Sequence, residues 1–169
     1  MTLTELYLQE FDQEAGNTRK MLQRIPADKL AWRPHAKSMS LAGLATHLAN
    51  VFSWMPMILE QPSLDLAPNG VALPHLKAAE SVEEILQAFE QNAVRARAAL
   101  AGADDEKLSQ PWSLLMNSRV IFTQPRFAAL RSSVMNHLIH HRAQLGLYLR
   151  LNDVAVPGMY GPSADETEM

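Results

Sequence analysis

The chain has 169 residues, of which 47% are hydrophobic and 20% are charged, and its formal net charge at pH 7 is −3. This length suits one domain with its own hydrophobic core, and this composition is typical of a globular chain. The small negative charge, without a lysine/arginine cluster, argues against nucleic acid as a partner. Cysteine is absent, which excludes disulfides, thiolate ligands and a cysteine nucleophile.

The sequence predicts neither a signal peptide nor a membrane span. Its N-terminal segment is acidic and amphipathic, unlike the basic start and apolar run of a signal peptide. The longest apolar region, residues 41–59, is interrupted by His47, Asn50 and Pro56 and is too broken to span a bilayer. We therefore expect a cytoplasmic protein with no membrane partner.

Helical periodicity predicts two helices in the first part of the chain. The first runs from about Thr4 to Arg24. The second runs from about Ser40, a suitable N-cap, to Leu59. Residues 61–76, with three prolines and an Asn-Gly turn, are predicted to form a loop.

A third helix is predicted to open with a capping box between Ser81 and Glu84 and to end near Gly102. The stretch 103–123 that follows is irregular. Within it, two short apolar runs flank Asn117-Ser118, which predicts a short hairpin.

The fourth helix is predicted from near Pro125 to about Leu151, and the tail, residues 152–169, is turn-rich, acidic and expected to fray. Together the four helices predict an all-α fold, a four-helix bundle with long connections, as a single domain over residues 1–169.

Three of the six histidines fall within five residues of the fourth helix. His137 and His141 are four apart, so they project from one helix face beside the apolar stripe and can reach one metal ion. His47 lies on the apolar face of the second helix, where a neutral imidazole needs a polar partner. A shared metal ion would serve all three, and a metal-free polar network inside the bundle is the alternative.

Residues around these histidines are candidates for a pocket or a second layer of contacts. Asn50 and Trp54 follow His47 at spacings that place them on its face. His140 is rotated about 100° from His141 and is expected at the surface or behind the ligands.

Gln144 and Arg142 flank the histidine pair. Gln144 is a second candidate to contact the ligands, although solvation is the favoured interpretation for both side chains. His35 and His75 lie in connections and are expected to be solvated. No carboxylate pair is placed for acid–base catalysis.

Two segments resemble the DinB superfamily of DinB/YfiT-like metalloenzymes. Residues 32–50 contain a Trp-Arg-Pro link followed by a helix that carries a histidine. Residues 137–166 contain a His-x-x-x-His helix with a His-Arg-x-Gln-Leu pattern, followed by a Tyr-Gly-Pro-Ser tail. The resemblance extends over nearly the whole chain.

The resemblance implies a four-helix bundle of up-down-down-up topology that is often a homodimer. Exposed-looking apolar residues, Met55, Met57 and Ile58, add to the dimer expectation. In the family three histidines bind a divalent metal ion, commonly zinc or nickel, and they match the triad His47, His137 and His141. Some relatives use mycothiol, bacillithiol or glutathione as cosubstrate, whose sulfur would bind the metal.

Two functions follow from these observations. A metal-dependent enzyme would leave a coordination position open for water, a small-molecule substrate or a low-molecular-weight thiol, as in a hydrolase, thiol transferase or isomerase. The alternative is a non-catalytic, metal-stabilised, stress-related binding module, which the missing carboxylate base favours. An open coordination position beside a cleft would favour the enzyme, and a fourth protein ligand would favour the module.

Overall fold

A computed structural model describes residues 1–166 of the chain, and this part is mostly helical. The first helix, α1, spans Leu3–Leu22. The Thr2 side chain accepts a hydrogen bond from the Glu5 amide, and the Glu5 carboxylate accepts one from the Thr2 amide, so a capping box fixes the start of the helix. The predicted first helix is confirmed to within two residues at its C-terminus.

The second predicted helix is three shorter segments. Helix α2 spans Leu41–Asn50, a 3₁₀ turn spans Val51–Ser53, and α3 spans Trp54–Glu60. The prediction of one continuous helix is wrong because Pro56 cannot donate to the carbonyl four residues earlier and its ring would clash with it. In the first turn of α3, the amide that proline lacks would have had no intrahelical acceptor.

A three-stranded sheet is the main departure from the predicted all-α fold. Strands β2, Pro111–Met116, and β3, Arg119–Pro125, form the predicted antiparallel hairpin. Strand β1, Ser63–Asp65, lies in the stretch predicted as a loop and pairs with β2 in parallel.

The third long helix, α4, spans Val82–Ala101 and is followed by the short helix α5, Asp105–Ser109. Ser81 caps α4 as predicted, because its hydroxyl accepts from the Glu84 amide. The Glu84 carboxylate accepts from the Glu80 amide rather than from that of Ser81, so the predicted reciprocal box is only half formed.

The last helical segment has the predicted limits but an irregular interior. Helix α6 spans Arg126–Ala129, a π-helical turn spans Leu130–Met135, and α7 spans Asn136–Leu151. π-Helical turns often occur at functional sites, and this one directly precedes the helix that carries His137 and His141.

The helices share one hydrophobic core, with α1 and α2 each packed against both α4 and α7. Met55 and Ile58 belong to this core, and Met57 is partly buried against a cavity. The prediction that these three residues form an exposed apolar surface is therefore wrong. Within residues 1–166, no helix is both long and apolar enough to cross a bilayer.

A buried ion pair connects helix α7 to helix α1. The Arg142 guanidinium, 2% exposed, lies 2.5 Å from the carboxylate of Glu14 and donates to the Tyr160 hydroxyl at 2.6 Å. The expected solvation of Arg142 is therefore wrong. The tail was expected to fray, and within its described residues the Asp165 carboxylate accepts hydrogen bonds from Arg150 and the Val156 amide. Residues 167–169 of the tail lie outside the described residues.

Candidate metal centre and cavity

Helices α2 and α7 bring three histidine side chains together. His47 projects from α2, and His137 and His141 project from successive turns of α7. Nε2 of His137 lies 3.0 Å from Nε2 of His47 and 2.8 Å from Nε2 of His141. One ring nitrogen from each residue lies within 4.8 Å of the other two, so the three imidazoles could hold one metal ion.

The opposite edges of two rings are held by hydrogen bonds. Nδ1 of His141 lies 2.7 Å from Oε1 of Gln144, and the ring of His137 is hydrogen-bonded to the backbone of Ser133. An amide oxygen can only accept, so Nδ1 of His141 carries the proton. Nε2 of His141 therefore directs a lone pair into the cluster.

Hydrogen bonds alone cannot account for both of the close nitrogen–nitrogen contacts in this cluster. A ring nitrogen has one in-plane site, occupied by either a proton or a lone pair. His137 Nε2 can therefore make one hydrogen bond, yet it has an Nε2 neighbour on each side. A divalent cation would resolve the conflict, since ligands about 2.05 Å from a tetrahedral ion lie ~3.3 Å apart. The donor set fits a metal ion that imidazole prefers.

The electrostatic setting keeps the cluster neutral. Burial lowers the pKa of His47 to about 4, and the neighbouring imidazoles His141 and His137 add to the shift. Burial also lowers the pKa of His137 and His141, although the hydrogen bonds to Ser133 and Gln144 oppose that shift. Near neutral pH all three imidazoles are therefore uncharged, the form that binds a metal ion.

The other candidates near the cluster separate into contacting and non-contacting residues. Trp54 meets the ring of His137 edge-on, with centroids 5.2 Å apart, and lines the adjoining cavity. Asn50 is engaged elsewhere, because its Oδ1 accepts from Asn92 on α4 at 3.2 Å. His140 is exposed, with its ring 4.9 Å from that of His141.

A cavity of about 680 Å³ opens beside the histidine cluster. Residues from α2, α3, the sheet, the connection before α4 and the π-helical turn form its wall. The lining residues are Met39, Gly43, Thr46, His47, Trp54, Met57, Ile58, Leu64, Leu66, Leu73, Pro74, His75, Leu76, Trp112, Leu114, Ser133 and His137.

Two contributions to this site were not predicted. His75 is exposed, as expected, but also lines the cavity. Ser133 lies one turn before His137, and this spacing on a helix could have identified it. His35 is exposed as expected, and its Nδ1 accepts a hydrogen bond from the Lys37 amide.

The fold and the histidine cluster define a mostly helical protein with a candidate metal centre at the edge of an apolar cavity. The chain belongs to the DinB family, whose family model matches residues 1–169. No functionally curated protein matches the chain in sequence.

Two solved structures have the same fold. A DinB-like protein from Bacillus cereus is 22% identical with a TM-score of 0.71, and the match covers 94% of this chain and 98% of that protein. A DinB-like protein from Bacillus subtilis is 17% identical with a TM-score of 0.69, covering 92% and 98% of the two chains.

Proposed function

We propose that the chain is a divalent-metal-dependent enzyme in which His47, His137 and His141 bind the metal ion. The observation that carries the proposal is the position of the cluster, because His47 and His137 both line the 680 Å³ cavity. Among the described residues the cluster contains three potential ligands, which leaves a coordination position for a ligand in the cavity.

A bound divalent ion would supply Lewis acidity towards an oxygen or sulfur donor of the substrate. The residues of the chain provide the rest of the site. Gln144 holds the imidazole of His141 in the orientation that directs its Nε2 into the cluster. Trp54 and aliphatic side chains form the wall beside the ligands. The imidazole of His75 lines the same cavity and can form a hydrogen bond with a ligand there.

Imidazole ligands suit zinc and nickel, and these are the ions we propose. The reaction that we propose is a hydrolysis, an isomerisation or a group transfer with a thiol cosubstrate. We also propose a cytoplasmic homodimer and an up-down-down-up order of helices. The packing of α1 and α2 against both α4 and α7 supports this order.

A binding module without catalysis is the second candidate. Within the described residues no carboxylate lines the cavity, so an acidic general base is missing from its wall. In this case the metal ion would pin α2 to α7, since His47 and the other two ligands come from different helices.

Metal content tests the proposed centre. Untagged protein, purified without a chelating column, should contain close to one equivalent of zinc or nickel by mass spectrometry. His141→Ala should lose the metal, whereas His140→Ala, which removes an exposed neighbouring histidine, should retain it. Folded protein that takes up neither ion on titration would overturn the proposal.

A second measurement separates the enzyme from the module. In cobalt-substituted protein the visible spectrum reports the coordination sphere. A small anion such as azide should change the spectrum if a position is open. A spectrum that azide leaves unchanged, and that is typical of four protein ligands, would favour the module.

A further inference from the structure

The wall of the cavity beside the histidines is almost entirely apolar. Aliphatic and aromatic side chains from α3 and the sheet contribute to it, among them Met57, Ile58, Leu64, Trp112 and Leu114. Within the described residues, no aspartate, glutamate, lysine or arginine lines the cavity. A charged group that entered it would lose its hydration without gaining a counter-charge from the wall.

Few polar side chains other than the histidine cluster are present. The Thr46 hydroxyl already accepts a hydrogen bond from the Ala79 amide at 2.9 Å. The hydroxyl of Ser133 and the imidazole of His75 remain to meet polar atoms of a ligand. This polar content can orient a small molecule but cannot neutralise several charges.

The mouth of the cavity supplies an independent observation. Leu73 and Leu76 belong to the connection before α4 and line the cavity, yet they are 43% and 62% exposed. An apolar occupant would cover these side chains and gain their burial, whereas a charged occupant would not. Exposed leucines at the rim therefore favour the same type of ligand as the interior wall.

We infer that this cavity takes a predominantly apolar small molecule that carries no charged group apart from the single donor atom it presents to the histidine cluster. The inference rests on the proposed function and narrows its substrate class. Peptide thiols such as glutathione carry two carboxylates and an ammonium group, for which the wall offers no partner. The molecule that reacts here is therefore more apolar than those thiols.

A pair of rigid thiols tests the preference. para-Methylbenzyl thiol and para-carboxybenzyl thiol have nearly the same shape, and the aromatic ring prevents the carboxylate from chelating the ion that the sulfur binds. Isothermal titration calorimetry of the zinc-loaded protein would measure both affinities. We expect the methyl compound to bind at least ~10-fold more tightly, because the carboxylate must be desolvated without a partner.

A charge placed at the rim should change this preference. Leu73→Arg supplies a cation beside the cavity, so it should tighten binding of the carboxylate compound and narrow or reverse the difference. Val94→Arg places the same charge on α4, where the side chain is 67% exposed and does not line the cavity. It should leave both affinities unchanged.

The outcomes distinguish this inference from the proposed function. Zinc-loaded protein that binds the carboxylate compound as tightly as the methyl compound would overturn the inference and leave the metal centre intact. Protein that takes up no zinc but binds para-xylene, which lacks a sulfur, would overturn the metal centre and support the apolar preference.

Discussion

Nδ1 of His141 lies 2.7 Å from Oε1 of Gln144, one turn further along α7. The contact fixes the proton on Nδ1 and leaves the Nε2 lone pair within the histidine cluster. In the proposed metal centre Gln144 would therefore act on metal binding through His141, although it lies outside the cluster.

Replacing Gln144 by Leu should weaken metal affinity by roughly 10–100-fold, the range typical of partners that orient a ligating histidine. Competition with a fluorescent zinc chelator would measure the dissociation constant. Gln91→Leu, an exposed glutamine on α4, is the matched control and should keep the parent value. Equal dissociation constants for the two variants would show that the hydrogen bond has no effect on the metal.

The site was partly predictable because its main signal is local. An i,i+4 spacing on a helix places His137 and His141 on one face, and the apolar stripe indicates which face that is. His47 belongs to a different helix, and its apolar neighbours indicate that it faces inward. The role of Gln144 depends on its side-chain rotamer. Its position in the sequence is therefore equally compatible with a solvent-exposed side chain and with a contact to His141.

The parts of the fold that were missed depend on distant contacts. Strand β1 has three residues and pairs with residues of β2 that lie fifty positions later, so no local alternation marks it. Arg142 was expected at the surface because arginine usually is. Its partner Glu14 lies 128 residues away in sequence, and no periodicity reveals such a pair.

The buried pair Arg142–Glu14 should be sensitive to the loss of one partner. Arg142→Met leaves the Glu14 carboxylate buried and unpaired, which should lower the free energy of unfolding by about 3–5 kcal/mol. Urea denaturation would measure the change.

A double variant separates the charge from its packing. Adding Glu14→Gln to Arg142→Met removes the unpaired charge, so the double variant should be more stable than Arg142→Met alone. If the double variant loses the sum of the two single effects, the charges do not interact.

The hairpin turn between β2 and β3 offers a stabilising substitution. Ser118 has φ 62° and follows Asn117 at φ 50°, the backbone of a two-residue type I′ turn that favours Asn-Gly. Ser118→Gly should therefore raise the free energy of unfolding by about 0.5–1 kcal/mol. Urea denaturation would check it. Ser38→Gly is the control, because Ser38 is not among the residues with positive φ, and it should not raise the free energy of unfolding.

The tail has a pH-dependent attachment. The Asp165 carboxylate accepts hydrogen bonds from the Arg150 guanidinium and the Val156 amide, and these contacts lower the pKa of Asp165 to about 2. The carboxylate is ionised more readily in the folded than in the unfolded chain. Its contribution to stability is therefore complete above pH ~4 and is lost as the pH falls towards 2.

An NMR titration of the Asp165 carboxyl carbon should show this low midpoint, with circular dichroism to verify the fold at each pH. Arg150→Gln removes the largest cause of the shift, so the midpoint should rise towards the ordinary aspartate value of about 3.9. The Val156 amide resonance should titrate together with the carboxyl, because the two groups share a hydrogen bond. A midpoint near 3.9 in the parent protein would mean that Arg150 does not hold the tail against α7 in solution.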